Sequence, residues 1–251
     1  MNSSPSVAVL SDIHGNRWAL EAVLEDLSRS PADLTVNLGD SLFGALDPAG
    51  TAELLMPIAM RSVRGNTDRD LLGQPSEPAS ATEKHSRAAL TEARRAWLER
   101  HEPPFIVDGI LACHGTPKSD SSTLLEDVTE NGVNRRTGVQ LGVLLASQPS
   151  EVSLILCGHS HVPGIVQAPN GPLVVNPGSI GLPAYRAEAP HPHTMESGSP
   201  HARYAVVQRV GANWRVELRS VVYDWEAAAM RAREVGRTDW AYALRTGHAA
   251  S

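Results

Sequence analysis

Five short polar motifs constrain this chain more than any other feature. Each contains or adjoins a glycine, and most follow directly on a run of apolar, β-prone residues. They are Ser11-Asp12-Ile13-His14-Gly15-Asn16, Asn37-Leu38-Gly39-Asp40, Arg64-Gly65-Asn66-Thr67-Asp68, Cys113-His114-Gly115-Thr116-Pro117 and Gly158-His159-Ser160-His161. Strand ends in an α/β sheet share one edge, so side chains distant in sequence meet there. Seven potential metal ligands are thereby candidates for one site: Asp12, His14, Asp40, Asn66, His114, His159 and His161.

The apolar patterning supports such a sheet. Residues 6–10 form a short β-prone run. Asn16 then caps a helical pattern in which Leu20, Val23, Leu24 and Leu27 recur on one face. A second buried strand covers 34–38, a helix lies near 48–58, and a short strand leads into Arg64-Gly65-Asn66. Strand–helix–strand–helix–strand is the rhythm of parallel βαβ units.

Residues 73–103 break that rhythm. Pro75 and Pro78 open the segment, a polar helix carries Leu90, Ala93, Trp97 and Leu98 on one face, and Pro103-Pro104 end it. Further helices are expected near 121–129 and 137–147. No linker sets these pieces off, so 73–103 and 118–147 read as cap-like helical insertions beside the site, within a single domain of 1–251. A buried strand at 152–157 leads into Gly158. Residues 165–167, 173–176, 204–209 and 214–223 read as short antiparallel strands. The Pro-, Ser-, Gly- and His-rich stretch 184–202 reads as a mobile loop. Helices near 226–234 and 239–245 close the chain.

Charge and composition narrow the function. The formal net charge is −6 and no long Lys/Arg run occurs, which argues against broad attraction to nucleic acid and against a nuclease. Cys113 and Cys157 each end an apolar run and read as small core residues in a reducing compartment. The first six residues lack a basic n-region. No apolar stretch reaches the ~18 residues of a membrane span. A cytoplasmic protein is expected.

Turn chemistry alone accounts for Gly39-Asp40 or Gly65-Asn66. It does not account for four histidines behind buried strands, where an unpaired polar ring is costly. A further His-x-His, His191 and His193, lies in the proline-rich stretch with no strand before it and reads as solvated. Seven ligands exceed the needs of one ion, and a shared carboxylate solves the count, with Asp40 as the natural bridge. Mixed imidazole and carboxylate ligands suit manganese, iron, cobalt, nickel or zinc, not calcium.

The motif series resembles the calcineurin-like metallophosphoesterase superfamily, particularly its compact bacterial and archaeal phosphodiesterase-type members. The likeness spans nearly the whole chain and includes Asn176-Pro177-Gly178-Ser179 and Val222-Tyr223-Asp224. It implies an α/β fold, a four-layer αββα sandwich of two mixed sheets with a small helical cap and the site at one edge. It implies two divalent transition-metal ions, manganese foremost, roughly 3.5–4 Å apart with a hydroxide between them. Asp12, His14 and His161 would hold one ion, Asn66, His114 and His159 the other, and Asp40 would bridge. The hydroxide would attack phosphorus in line while the ions spread the developing charge. Asp40, Asn66 and His114 are therefore candidate catalytic residues as well as ligands.

One departure is informative. Many superfamily members have histidine after the motif asparagine, assigned to protonating the leaving oxygen. Here that residue is Thr67. General acid help is worth about 10²–10⁴ in rate, so its loss penalises poor leaving groups most. The compact subfamily also commonly lacks this histidine. The expected activity is hydrolysis of phosphodiester or phosphoanhydride bonds in a small phosphorylated, nucleotide-type substrate. A phosphoprotein or small-molecule phosphomonoesterase is the alternative, and a binding scaffold on the same fold is an alternative of another class. Arg69, Arg135 and Arg136 are candidate substrate contacts, and His85, His191 and His193 candidate replacements for the acid. Asp68 is expected to support a ligand loop. The cap segments are expected to shape substrate choice.

Overall fold

Alternation along the strands decides which face of each sheet meets which neighbour. In β1 (Ser6–Leu10), Val7 and Val9 point one way and Leu10 the other. In β5 (Ile110–Ala112), Ile110 and Ala112 oppose Leu111, and in β8 (Leu154–Leu156), Leu154 and Leu156 oppose Ile155. Side chains along a strand switch faces at every residue, so each of these strands is buried on both sides. Such strands belong inside a layered structure.

The computed structural model describes residues 5–250, and the first four residues considered above for a leader lie outside it. Two five-stranded mixed sheets stack face to face. The first has the order β14 (Asn213–Val221), β13 (Ala202–Val210), β1, β2 (Leu34–Asn37), β3 (Arg61–Ser62). The second runs β4 (Phe105–Val107), β5, β8, β10 (Leu173–Asn176), β9 (Gly164–Gln167). Val7, Val9, Val36 and Leu38 of the first sheet pack against Ile110, Ala112, Leu154 and Leu156 of the second.

The outer face of the first sheet is covered by α1 (Arg17–Arg29), α2 (Pro48–Leu55), α7 (Trp225–Glu234) and α8 (Thr238–Thr246), around Leu10, Leu20, Tyr204 and Leu244. The outer face of the second is covered by α6 (Gly138–Leu144) and the loop carrying Leu124 and Leu125. Four layers result, αββα, as the resemblance implied. Cys113 and Cys157 are unpaired and buried in this last core. Among the described residues no helix is long and apolar enough to cross a membrane.

Several local expectations are corrected. Residues 73–103 carry two helices, α4 (Ala81–Ala88) and α5 (Glu92–Glu99), each with its own cap at Ser80 and Thr91. Trp97 and Leu98 join the helical core on the first sheet. Where a helix was expected near 121–129, the chain forms a hairpin of β6 (Glu126–Thr129) and β7 (Gly132–Arg135). The tight turn is Glu130-Asn131, and Gly132, paired with Thr129 at φ 113°, supplies the positive φ with which the chain re-enters the ladder. The stretch 184–202 is not a loop throughout. β11 (Ala184–Ala187) pairs with β12 (His193–Glu196), placing Ala184 and Met195 in buried positions. β10 is antiparallel to β9 but parallel to β8.

Candidate metal centre

Strand direction gathers the site. β1, β2 and β3 run parallel in one sheet, and β5, β8 and β10 in the other. Asp12 and His14 follow β1, Asp40 follows β2, His114 follows β5, and His159 and His161 follow β8. Asn66 opens α3 (Asn66–Leu72) just beyond β3. Two triads each bring their ligand atoms within 4.8 Å of one another: Asp12, His14 and His161, and Asp12, Asp40 and His114. Asn66 joins through its Oδ1, 3.1 Å from His114 Nε2. His159 joins through its ring, 5.2 Å from that of His114, and its backbone N–H, which donates to Asp12 Oδ2 at 3.1 Å.

The turns that deliver these groups are strained. Asp12, His14, Asp40, His159 and His161 all have left-handed φ, between 51° and 66°. Such conformations cost on the order of 1–3 kcal/mol each and concentrate at functional sites. The motif glycines have steric reasons. Gly39 sits at φ 103° against the backbone of Gly65, and a Cβ on Gly65 would strike the Asp40 carboxylate.

Three imidazoles are held in one tautomer. His14 Nδ1 faces the Phe43 carbonyl at 2.9 Å, His114 Nδ1 that of Leu38 at 2.8 Å, and His161 Nδ1 that of Leu182 at 2.6 Å. A carbonyl only accepts, so each Nδ1 carries the proton and each Nε2 lone pair points inward. The carboxylates are arranged alike. Asp12 Oδ2 accepts from Ser11 Oγ at 2.6 Å, and Asp40 Oδ1 accepts from the Thr67 N–H at 3.0 Å. One oxygen of each remains for the cluster. Asp12 Oδ1 is fully buried without a hydrogen-bond partner, 3.3 Å from His161 Nε2. Asp40 Oδ2 lies 3.8 Å from His14 Nε2 and 3.5 Å from His114 Nε2.

The electrostatics call for positive charge. Burial opposes ionisation of Asp12, yet the imidazoles of His161 and His114 bring it down to about 2. Asp40 is likewise held far below the usual range, against burial, by His114 and His14. Burial would push His114 down, but Asp40 and Asp12 outweigh it and raise this group to about 10. In the metal-free protein a second proton, on His114 Nε2 beside Asn66 Oδ1, supplies the cation that the carboxylates need, and it must leave before that nitrogen can hold a metal. Buried carboxylate oxygens and inward imidazole lone pairs form a donor set that fits divalent transition metals.

A second ring fixes the ligand loops. Asp68 is fully buried and accepts from the backbone N–H of Asp40 at 2.8 Å, Ser41 at 3.0 Å and Gly65 at 3.2 Å. Asn176 donates to the Gly158 carbonyl and to Ser160 Oγ, and Ser179 Oγ donates to the Asp12 carbonyl. Ser160, between the two histidines, also meets Glu126, whose carboxyl is raised by burial and paired with Arg135 at 2.6 Å. Asn16 caps α1 and donates to the Tyr223 hydroxyl.

The candidate substrate contacts lie elsewhere. Arg69 pairs with Asp70 and Asp120, Arg135 with Glu126, and Arg136 with Asp127 and three main-chain carbonyls. None lines the cavity of about 580 Å³ above the cluster. Arg136 lines a neighbouring hollow of about 470 Å³ that reaches His159, with His193 on its far side. His85 is bonded to the Leu46 carbonyl. No residue of 73–103 or 118–147 lines the cavity above the cluster, whose walls include Phe43, Leu182, β11 and α8, whereas residues 121–123, 127, 128 and 136 line the hollow that reaches His159. Sequence reasoning missed Tyr185 and Trp240. The Tyr185 ring stands on His161 at 4.7 Å, and that of Trp240 meets His14 edge-on at 5.9 Å. Trp240 carries only a core-like helical spacing, and Tyr185 sits in the stretch read as loop.

Comparison with known proteins agrees with this architecture. A family model described as the calcineurin-like phosphoesterase superfamily domain matches residues 6–195. An uncharacterized protein of Methanocaldococcus jannaschii is 25% identical over 238 residues, covering 88% of this chain and 89% of that one. A metallophosphoesterase structure from Sphaerobacter thermophilus has a TM-score of 0.75 at 22% identity, covering 97% of this chain and 99% of its own. A structure described as a candidate diadenosine tetraphosphatase has a TM-score of 0.52 at 18% identity, covering 86% and 95%. At these identities the structural likeness is one of fold.

Proposed function

The chain belongs to the calcineurin-like phosphoesterase superfamily, and from that premise we propose that it hydrolyses phosphodiester or phosphoanhydride bonds of a nucleotide-type substrate, using two divalent ions. The observation that carries this reading is the orphaned Asp12 Oδ1, buried beside His14 and His161, whose Nε2 lone pairs point inward. In this reading Asp12, His14 and His161 would hold one ion, Asn66, His114 and His159 the other, and Asp40 would be shared, its Oδ2 being 3.8 Å from His14 Nε2 and 3.5 Å from His114 Nε2. Manganese is the first choice of ion.

When bound, the ions supply an activated water at neutral pH and neutralise charge on the phosphoryl oxygens. The chain's own residues do the rest. Asp12 and Asp40 offset only part of the charge of two divalent ions, so the floor stays positive and attracts a phosphate anion. Leu182, Tyr185 and Trp240 wall the floor and restrict water. Thr67 faces the cavity without an imidazole, so good leaving groups are favoured. The reading takes 1–251 as one domain and places it in the cytoplasm, where unpaired Cys113 and Cys157 stay reduced.

Metal analysis, followed by assays on monoesters, diesters and nucleotides, tests the proposal. Asp40→Asn is expected to lose metal and at least about 100-fold in rate, and a variant with both metals and full rate removes the bridge assignment. A phosphoserine peptide cleaved faster than bis-p-nitrophenyl phosphate overturns the substrate class. A metal-free protein, inert with added manganese, returns the chain to a binding scaffold.

A further inference from the structure

The cavity above the cluster has three chemically distinct parts. Its floor is the ligand set. Its walls are largely apolar, with Phe43, Leu182, Trp240 and Ala243 facing inward. Two guanidiniums, Arg186 and Arg237, stand at its edge in different states. Arg237 is engaged: Nε and Nη2 donate to Asp239 at 2.8 and 2.6 Å, Nη1 donates to Thr82, and the group lies 5.0 Å over the Trp240 ring. Arg186 is exposed. Among the described residues its guanidinium meets the Ala250 carbonyl at 3.3 Å and no carboxylate.

We propose that Arg186 recognises a second phosphate of the substrate, which makes that substrate a nucleotide anhydride, with its base against Phe43 and Trp240. This inference rests on the phosphohydrolase reading above. A cavity of about 580 Å³ is of the size that takes a small organic ligand. A planar apolar group suits the walls, and the scissile phosphate suits the floor. A simple diester carries one negative charge and leaves Arg186 without a partner. A guanidinium binds phosphate as a planar fork with charge-assisted hydrogen bonds. The neutral Ala250 carbonyl, at a long 3.3 Å, is an acceptor that a phosphate oxygen displaces.

Trp240 is suited to its part because it does not move freely. It is held between the His14 ring and the Arg237 guanidinium, and is 7% exposed. It also lies beyond residue 195, where the family match ends. The ligand floor falls inside the matched span, whereas the α8 wall falls outside it. Arg186 and Phe43 lie inside the matched span, so the part of the proposed subsite that falls outside it is the α8 wall.

Calorimetry on the manganese-loaded protein tests this with two probes, AMP and the hydrolysis-resistant α,β-methylene analogue of ADP. Wild type is expected to bind the diphosphate at least about tenfold tighter than AMP. Arg186→Ala, at an exposed position outside the ligand set, brings that ratio close to one and leaves AMP binding within about twofold. Arg186→Lys restores part of the ratio. An equal ratio in wild type and Arg186→Ala overturns the proposal, as does a wild type without preference. Hydrolysis of bis-p-nitrophenyl phosphate, run in parallel, reports on the phosphohydrolase reading separately. Arg186→Ala is expected to leave that rate unchanged.

Discussion

His14 and His161 turn their Nε2 atoms toward one another at 3.1 Å, while each gives its Nδ1 proton to a main-chain carbonyl. No proton remains to lie between the two nitrogens, so two lone pairs face each other beside the buried Asp12 oxygen. Such a contact is repulsive until a cation enters it. A cation held by His14, His161 and Asp12 would relieve this contact.

The first prediction follows directly. Manganese at 100 times its dissociation constant is expected to stabilise the chelator-treated protein by about 2.7 kcal/mol. For a domain of this size that raises Tm by about 5–10 °C. Thermal unfolding with chelator, with manganese and with zinc measures it. An unchanged Tm with every transition metal tried contradicts the ligand assignment.

Asp68 gives a test that does not depend on metal. It is fully buried and accepts from the N–H groups of Asp40, Ser41 and Gly65. Asp68→Ala leaves those donors unpaired, at a cost of about 3 kcal/mol, or about 6–12 °C in Tm. Metal affinity should fall as well, because the Asp40 loop loses its anchor. Normal stability of the metal-free variant would show that the loop holds itself.

The metal-free protein should be most stable near neutrality. Burial, then the charge on His114, holds His159 down at about 4, from an ordinary value of 6.5. Between those values the unfolded chain binds more protons than the folded one, so stability is present above 6.5 and lost as pH falls. The loss amounts to about 2 kcal/mol by pH 5. His114 acts in the opposite sense. Burial lowers it, but Asp40 and Asp12 raise it to about 10, so its contribution is full below 6.5 and lost as pH climbs through 10. Urea midpoints in chelator from pH 5 to pH 9 trace both limbs. His159→Asn should flatten the acid limb, and an unaltered slope would assign it to other groups.

Thr67 marks the place where an acid is absent. Its side chain borders the cavity, and its hydroxyl is buried without a partner. Thr67→His is expected to raise kcat on alkyl phosphates by about 100-fold, the low side of general acid catalysis. Its effect on p-nitrophenyl esters should be small. Comparing the two substrates gives the leaving-group dependence. Equal acceleration of both would show that the histidine does something other than protonate the departing oxygen.

The ligand floor was legible because its signals are local. An apolar alternation ending in Gly39-Asp40 or Gly158-His159 is complete within a few residues, and parallel strands bring such ends to one edge without further instruction. The hairpins were less legible. The β6–β7 hairpin occupies a stretch where a helix was expected, with Gly132 just after its turn as its local mark. The pairing of β11 with β12 depends on where Ala184 and Met195 find a core to enter. The walls were not legible at all. Trp240 reads as one more apolar residue on a helix until α8 docks with its ring against His14.

By itself the sequence located seven candidate ligand side chains at or just beyond strand ends and a threonine at position 67 where many superfamily members have histidine, and its family resemblance implied two stacked sheets. Only the tertiary structure decided what stands over that chemistry. It set β11 and α8 along the cavity over the cluster and residues of 118–147 along the hollow beside His159, turned Arg135 and Arg136 to Glu126 and Asp127, and left Arg186 without a carboxylate among the described residues. The physical reason is range. Strand ends are set by backbone pairing and short apolar runs, whereas a cavity wall is set by the packing of elements more than 200 residues apart, such as His14 and Trp240.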